Sequence, residues 1–510
     1  MAPGPPPDSR SRHPRDNPPS NGASATHVVS PVRLQGRGHP RDASPLERLA
    51  RPALIHARLH GERFVQELLP FLKFPSISNS PAHRESVQRC AGWLAAHLKR
   101  IGLQARMVAT PGHPVVIAAS QQKAGRPTLL IYGHYDVQPV DPLKSWRSPP
   151  FVPTRRGDDL IARGASDDKG QLFLHLKAVE SYLTTRGATP VNIKCAFEGE
   201  EEIGSPHFAE FLREHRDELA ADCAVVSDTR MISAKQPALI YGQRGLLSME
   251  LTVRTLRGDV HSGAFGGAVH NAAQALAEIL AQVHGHNGRV RIPGFYDRVR
   301  TSSAEEREYF REHAPGADEM LRDSGATRGW GEPGFSLFER STIRPAMLIN
   351  GIKAGYQGPG GKGIIPAQAS AKISVRLVPE QDPVEIEQLC RAWLRKVTPP
   401  TARSRLRVRP GARPVLMSPS HPANRAAALA FRKAFGVAPV FLRSGGTIGP
   451  VNPLREVLGL PVVLMGFALP DDRMHAPNEK LHLPNFHRGI ATSIWFMAAM
   501  ARMRRAEGAG

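Results

Sequence analysis

Residues 131–139 read IYGHYDVQP. The preceding run TLLIY (128–132) has the apolar, β-branched character of a buried strand, and Gly133 ends it. His134 and Asp136 come immediately after it, then Pro139. An imidazole and a carboxylate two residues apart at the end of a buried strand are either a polar turn or a ligand and the group that holds it. The surrounding segments bear on the choice. PVVIAAS, PTLLIYG, VNIKCAFEG and DCAVVSD read as strands. HGERFVQELLPFLKF, ESVQRCAGWLAAHLKRIGL, GQLFLHLKAVESYLTT and HFAEFLREHRDEL read as helices. Their alternation predicts an α/β fold, a mostly parallel sheet with helices on both faces.

The pattern changes at residue 246. LLSMELTVRT, the helix HNAAQALAEILAQVHG, the strands RPAMLINGIKAG and QASAKISVRLVPE, the helix DPVEIEQLCRAWLRKV and the strand SRLRVRPG succeed one another in the order β-α-β-β-α-β. That is the ferredoxin-like order of an α+β unit. A long irregular stretch, about 286–343, interrupts it. The α/β pattern then resumes with HPANRAAALAFRKAFG, PVVLMGFAL and NFHRGIATSIWFMAAMARM. The expected organisation is a disordered Pro/Arg-rich tail over 1–50, a first catalytic segment over 55–245, an inserted lid and dimerisation domain over 246–412, and a second catalytic segment over 413–505.

Composition narrows the function. The chain has 510 residues, with 41% hydrophobic and 22% charged, which is globular material for two domains. Four widely spaced cysteines with no CxxC pair exclude a disulfide framework and a thiolate zinc site, and fit a reducing, cytoplasmic compartment. The stretch 489–503 is too short to span a bilayer, and the N-terminus lacks the apolar core of a secretory signal. The net charge of +21 comes mainly from scattered arginines without interleaved aromatics or a helix-turn-helix, RRM or zinc-finger pattern, so nucleic acid is not the expected partner.

The loops at the ends of the apolar strands carry the chemistry. His134 and Asp136 come after TLLIYG, Asp167 and Asp168 after DLIARGAS, and Glu200, Glu201 and Glu202 after VNIKCAF. Asp228 comes after CAVVS, and His475 lies in the loop after PVVLMGF. In an open parallel sheet, ligands bind beyond the carboxyl ends of the strands. Singly, each string is an ordinary turn or helix start. Jointly, five ends deliver two imidazoles and three or more carboxylates. Clustered carboxylates repel one another, and two neutral imidazoles add no charge, so one or two divalent metals with mixed N/O ligation are expected.

The strings GHYDVQP, ARGASDDKG, EGEEEIGS, VVSD, DVHSGAFGG, SVRLVP, SGGTIGP and MHAPNEK, in this order over about 60–505, resemble the di-metal aminoacylase/carboxypeptidase family. That family includes carnosinase-like cytosolic dipeptidases, acetylornithine deacetylase and succinyl-diaminopimelate desuccinylase, and the YDVQP, DDKG and DVHSG forms look most like the dipeptidase branch. The resemblance implies two divalent ions, zinc first, with manganese or cobalt as alternatives. It implies His134 and Asp228 as ligands of one ion, Glu202 and His475 of the other, and Asp167 as the bridge, followed by a cis peptide bond. It implies that Asp136 orients His134 and that Glu201 is the general base for a metal-activated water. His261 is implied to support the oxyanion across a dimer interface. Arg376, Gly445, Gly446 and Thr447 are implied to hold the substrate's C-terminal carboxylate, with His421 lining the pocket. Glu200 receives no role.

The activity so implied is hydrolysis of dipeptides or short peptides with a free C-terminal carboxylate, by a homodimer. Deacylation of N-acyl amino acids by the same site is the alternative. Ala162 stands where the family has glycine in ARGASD, a change that leaves every implied ligand in place. QGPGGKG (357–363) lacks the first glycine and the final Ser/Thr of a phosphate loop, and reads as a connection between two lid strands.

Overall fold

The computed structural model describes residues 44–503. Most of the expected tail lies outside them, but its boundary at 50 is set too late. Residues Pro45–Leu59 form a helix whose Leu46, Ala50 and Ala53 are buried in the main core. Two prolines disguise it: Pro45 opens the helix, where a missing N–H costs nothing, and Pro52 lies inside it.

The largest sheet has nine strands. Its middle is parallel: Asn192–Glu198, Thr128–His134, Cys223–Val226 and Val462–Leu464 run side by side in that order. Antiparallel strands flank this middle. Val115–Ala119 and Gln104–Val108 lie on one side, Ala238–Gln243 and Val415–Leu416 on the other, with Val440–Ser444 pairing parallel to Ala238–Gln243. All seven residues of Thr128–His134 are buried, as expected for a strand covered on both faces. Alternate side chains separate into two cores. Leu129, Ile131, Ile193, Cys195 and Val225 pack with the helices Lys169–Arg186 and Leu483–Met500. Leu130, Tyr132, Ala196, Ala224 and Val226 pack with Phe208, Phe211, Val451 and Leu454.

The second sheet is antiparallel throughout, in the order Ala346–Ala354, Gln368–Leu377, Gly245–Arg254, Arg403–Val408. The helices Ala272–Ala281 and Pro383–Val397 supply Ala275, Ile279, Ile386 and Leu394 to a core under one face. This is the ferredoxin-like arrangement. The chain enters and leaves it through a reciprocal backbone pair, Leu246 N–H to Ala412 O at 3.0 Å and Ala412 N–H to Leu246 O at 2.8 Å.

Three sequence readings change. The stretch 286–343 contains three helices, Ala304–His313, Ala317–Ser324 and Leu337–Thr342. They are short and mostly polar, with Phe310 the buried residue of the first, so periodicity did not reveal them. Ser303 and Ser336 cap two of them, and Ser336 with Glu339 forms a full capping box. The segment HFAEFLREHRDEL breaks at His215 into Phe208–Glu214 and Arg216–Leu219. The strand in DLIARGAS, Asp159–Ile161, belongs to a small separate sheet with Thr154–Arg156 and Lys480–His482. Asp167 therefore does not extend from a strand of the main sheet. It sits in the loop that leads into the helix Lys169–Arg186.

Candidate metal centre

His134 is the last residue of its strand and is fully buried. Its neighbour Gly133 is required by crowding, because a Cβ there would lie 2.9 Å from both Asp168 Oδ2 and a Leu172 methyl carbon. His134 Nδ1 lies 3.1 Å from the carbonyl oxygen of Asp136 and 3.3 Å from its Oδ1. The same buried carboxylate accepts the N–H of Glu201 on Oδ1 at 3.2 Å and the N–H of Glu202 on Oδ2 at 3.1 Å. One side chain thus fixes both the imidazole and the backbone of the acidic turn.

The other imidazole edge of His134 faces Asp167, with Nε2 to Oδ1 at 3.1 Å. The second oxygen of Asp167 lies 2.8 Å from His475 Nε2, which in turn is 3.2 Å from Glu202 Oε2. Two groups result, each with ligand atoms within 4.8 Å of one another: His134, Glu201 and Asp228, and Asp167, Glu202 and His475. Asp167 touches an imidazole from each. The peptide bond between Asp167 and Asp168 is cis. Glu200, one residue before Glu201, turns elsewhere and accepts from His113 N–H at 3.1 Å while lying 2.7 Å from His207 Nδ1.

The electrostatics of this cluster call for added positive charge. Burial raises the Asp228 carboxyl, and Asp167 and Glu201 add to the shift. Burial lifts Glu201 to about 7, with Glu202, Asp167 and Asp136 also raising it against the pull of His134. Burial and Asp167 raise Glu202. Burial disfavours charge on His134, but its contacts with Asp136 and Asp167 outweigh this and drive it upward. Contacts with Asp167 and Glu202 raise His475 to about 11. His134 Nε2 is buried and close to Asp167, yet makes no aligned hydrogen bond. Burial disfavours charge on Asp167 too, but its contacts with His134 and His475 outweigh this and hold it below the ordinary carboxylate range. Two imidazoles, a shared carboxylate and terminal carboxylates are a donor set that fits divalent ions.

A third His/carboxylate group, Glu67, His97 and Glu180, is of another kind. The buried Lys177 ammonium sits among these residues, 2.7 Å from Glu180 Oε2 and 3.0 Å from His97 Nε2. It already supplies their cation.

Several residues that hold the centre carried no role in the sequence reading. Gln138 donates to Glu202 Oε2 at 2.7 Å. Buried Glu479 accepts from the backbone N–H groups of Gly164, Ser166 and Asp167 at 2.8–2.9 Å and pairs with buried Arg163 at 2.8 Å. Asp472 accepts from Ser166 Oγ at 2.9 Å. Glu479 lies inside the string MHAPNEK, and an acid four residues after the expected ligand His475 was the available signal.

The residues expected to meet substrate fall into two sets. Arg376, on the strand Gln368–Leu377, donates to Thr447 Oγ1 at 3.1 Å, and Thr447 Oγ1 donates to Arg244 O at 2.6 Å. Arg244, which the sequence reading passed over, donates through Nε to Gly445 O at 3.0 Å. Burial lowers its pKa to about 10, and the nearby Arg376 charge adds to the fall. Neither guanidinium forms an ion pair among the described residues. Gly446 N–H donates to Ser444 Oγ at 3.0 Å. His261 and His421 are not joined to the acidic cluster by a hydrogen bond or ion pair among the described residues. His261 is exposed on the two-residue strand Val260–His261 and accepts from Gly263 N–H. His421 caps the helix Pro422–Phe435 by accepting from Ala423 N–H at 3.2 Å.

A fold of this topology, with a two-histidine acidic cluster at the carboxyl end of a central strand, matches Peptidase family M20/M25/M40 over residues 130–497, and the chain belongs to that family. Its relatives lie in the dipeptidase branch. The chain is 29% identical over 488 residues to the Beta-Ala-His dipeptidase of Homo sapiens, covering 92% of this chain and 96% of that one. It is 30% identical over 463 residues to the Cys-Gly metallodipeptidase dug1 of Schizosaccharomyces pombe, covering 86% and 96%. Among solved structures, human carnosine dipeptidase 1 superposes with a TM-score of 0.80 at 29% identity, over 89% of this chain and 99% of that one. The M20 family metallo-carboxypeptidase Sso-CP2 from Sulfolobus solfataricus gives 0.80 at 32% identity, over 86% and 99%.

Proposed function

We propose that this protein is a metal-dependent dipeptidase that hydrolyses the amide bond of dipeptides or short peptides bearing a free C-terminal carboxylate. The observation that carries this is the pair of His/carboxylate groups, His134/Glu201/Asp228 and Asp167/Glu202/His475, with Asp167 in contact with an imidazole of each. The dipeptidase names of relatives matched along nearly their whole length point the same way. His134, Asp167 and Asp228 would hold one divalent ion and Asp167, Glu202 and His475 a second, with zinc the first candidate and manganese or cobalt also suited to the donors. Such ions lower the pKa of water and polarise a carbonyl.

The protein's own groups do the rest. Asp136 holds the His134 ring and the Glu201–Glu202 backbone in register. Glu201, raised by its surroundings toward neutrality, accepts a proton from water as the water oxygen bonds to the amide carbon. It then delivers that proton to the leaving nitrogen as the C–N bond breaks. Arg376, Thr447 and the Gly445–Gly446 turn bind the C-terminal carboxylate, and His261 of a partner subunit donates to the carbonyl oxygen in the tetrahedral state. Dimerisation through the second sheet is supported by its edge strand Ala346–Ala354, which leaves Leu348, Ile349 and Ile352 exposed. No helix among the described residues is long and apolar enough to cross a membrane. A cytoplasmic, reducing compartment suits four buried and unpaired cysteines.

The test is an assay of chelator-stripped protein on a dipeptide panel and on N-acetyl amino acids, with zinc or manganese restored, beside Glu201→Gln. Metal-dependent dipeptide cleavage that falls by about 10²–10⁴ in the variant is the expected result. Turnover of the acyl amino acids alone would move the function to deacylation.

A further inference from the structure

The loop that carries His475 is strained. Arg473, His475 and Asn478 all have left-handed backbones, with φ of 57°, 63° and 65°. Side-chain-bearing residues rarely adopt that conformation, so the surrounding structure must impose it. The anchors are visible. Asn478 Oδ1 accepts from Arg147 N–H at 2.7 Å, and its amide donates to Ser145 O at 2.9 Å. Asp472 Oδ2 accepts from Leu469 N–H at 2.7 Å and Ser166 Oγ at 2.9 Å. Glu479 does most. Its two oxygens accept three N–H groups of one loop, those of Gly164, Ser166 and Asp167, and take the Arg163 guanidinium as counter-ion.

Arg163 extends the connection to a third segment by donating to Pro139 O at 2.9 Å, at the end of the His134–Asp136 turn. Both partners are essentially without solvent exposure. Three segments that meet at the centre, 134–139, 163–167 and 472–479, are therefore tied through one buried ion pair. None of these atoms lies among the proposed ligands.

We propose that Glu479 and Arg163 are positioning residues that hold His475 opposite Asp167, so that the Asp167/Glu202/His475 group is formed before an ion arrives. The inference rests on the two-ion reading of the site. Its mechanism is geometric. Asp167 N–H and the His475 loop are both fastened to Glu479, so loosening Glu479 changes the distance between two ligands of one group. The His134/Asp228 group shares Asp167 but is also fastened by the strand ends and by Asp136, so it loses less.

The experiment titrates the full chain, stripped by chelator, with Zn2+ against a competing chelator, for the wild type, Glu479→Gln and Glu200→Gln. Wild type is expected to bind two equivalents. Glu479→Gln is expected to retain the first within about threefold and to weaken the second by about 10–100-fold, the effect typical of removing a group that orients a ligand. Glu200→Gln, equally buried but bound to His113 and His207, should leave both unchanged. A Glu479→Gln protein of lowered stability that binds both ions as the wild type does would overturn the inference and leave Glu479 merely structural. Should Glu479→Gln fail to fold, Glu479→Asp, which keeps the charge but shortens the reach to the 164–167 loop, should show the same split, and equal weakening of both equivalents there would overturn it. A wild type that binds fewer than two ions would defeat the two-ion reading instead.

Discussion

Replacing Asp136 by asparagine tests the idea that one buried carboxylate organises the centre. The aspartate receives the N–H groups of Glu201 and Glu202 on separate oxygens and lies 3.3 Å from His134 Nδ1. Asparagine keeps one acceptor and turns an NH₂ toward the other donor. The loss is one charge-assisted hydrogen bond, about 1.5–3 kcal/mol. Removing the partner of a ligating histidine commonly weakens metal binding about 10–100-fold, or about 1.4–2.7 kcal/mol at 1.36 kcal/mol per decade. The two ranges overlap, so the single lost contact accounts for the expected effect. Calorimetric Zn2+ titration of stripped Asp136→Asn should show affinity on the His134 side reduced by about 10–100-fold, and kcat/KM at saturating metal should fall at least about tenfold. Asp136 also helps to raise Glu201, so the acidic limb of the pH–rate profile should move to lower pH. A variant whose metal affinity and kcat/KM stay within about twofold of the wild type would refute this reasoning.

Arg376→Met should lower kcat/KM for dipeptides by about 10–100-fold, a lost charged hydrogen bond, yet leave C-terminally amidated dipeptides no worse than with the wild type; steady-state kinetics on the matched pair decides it. Glu198 is buried and pushed up to about 8, above its ordinary 4.5, chiefly by burial, with Asp136 and Glu201 adding to it. Its folded form holds the proton more tightly than the unfolded chain does, so its contribution to stability is full below about pH 4.5 and is lost as pH rises toward 8. Glutamine can still accept from Tyr132 and Ser205, so Glu198→Gln should raise Tm at about pH 8.5 and leave it little changed at about pH 4.5, measured by calorimetry on metal-free protein. Ile352→Lys on the exposed edge strand should convert a dimer to a monomer in light scattering, with the monomer's circular dichroism unchanged.

The sequence made most of the candidate loops legible because they come after apolar runs too plain to misread, such as TLLIY or CAVV. The acidic cluster emerged from joint placement, and the roles within it from family resemblance. The geometry corrects the simple picture that every ligand extends from a main-sheet strand. Asp167 reaches the centre through a helix-entry loop and a small outlying sheet, because Glu479 draws that loop in from more than 300 positions away. Such a tie leaves no periodicity to read. The helices between 304 and 342 were hidden for the opposite reason, since short polar helices fixed by serine caps have little hydrophobic pattern. Arg244 escaped notice because its Nε donates to a backbone carbonyl, that of Gly445, a contact without a sequence signature.

The strand Val462–Leu464 sits in the middle of the large sheet, between Cys223–Val226 and Ala238–Gln243, although it is the last of the nine to be made. His475, Glu479 and the helix Leu483–Met500 come later still. A ribosome that has released roughly the first 450 residues has therefore produced a sheet with a slot in its centre and bare ladder groups on both sides of it. Such a chain offers an edge for wrong pairing and lacks His475 of the acidic cluster. A chain that stops short of Val462 is therefore expected to be an inert fragment with exposed ladder groups rather than a weakened enzyme.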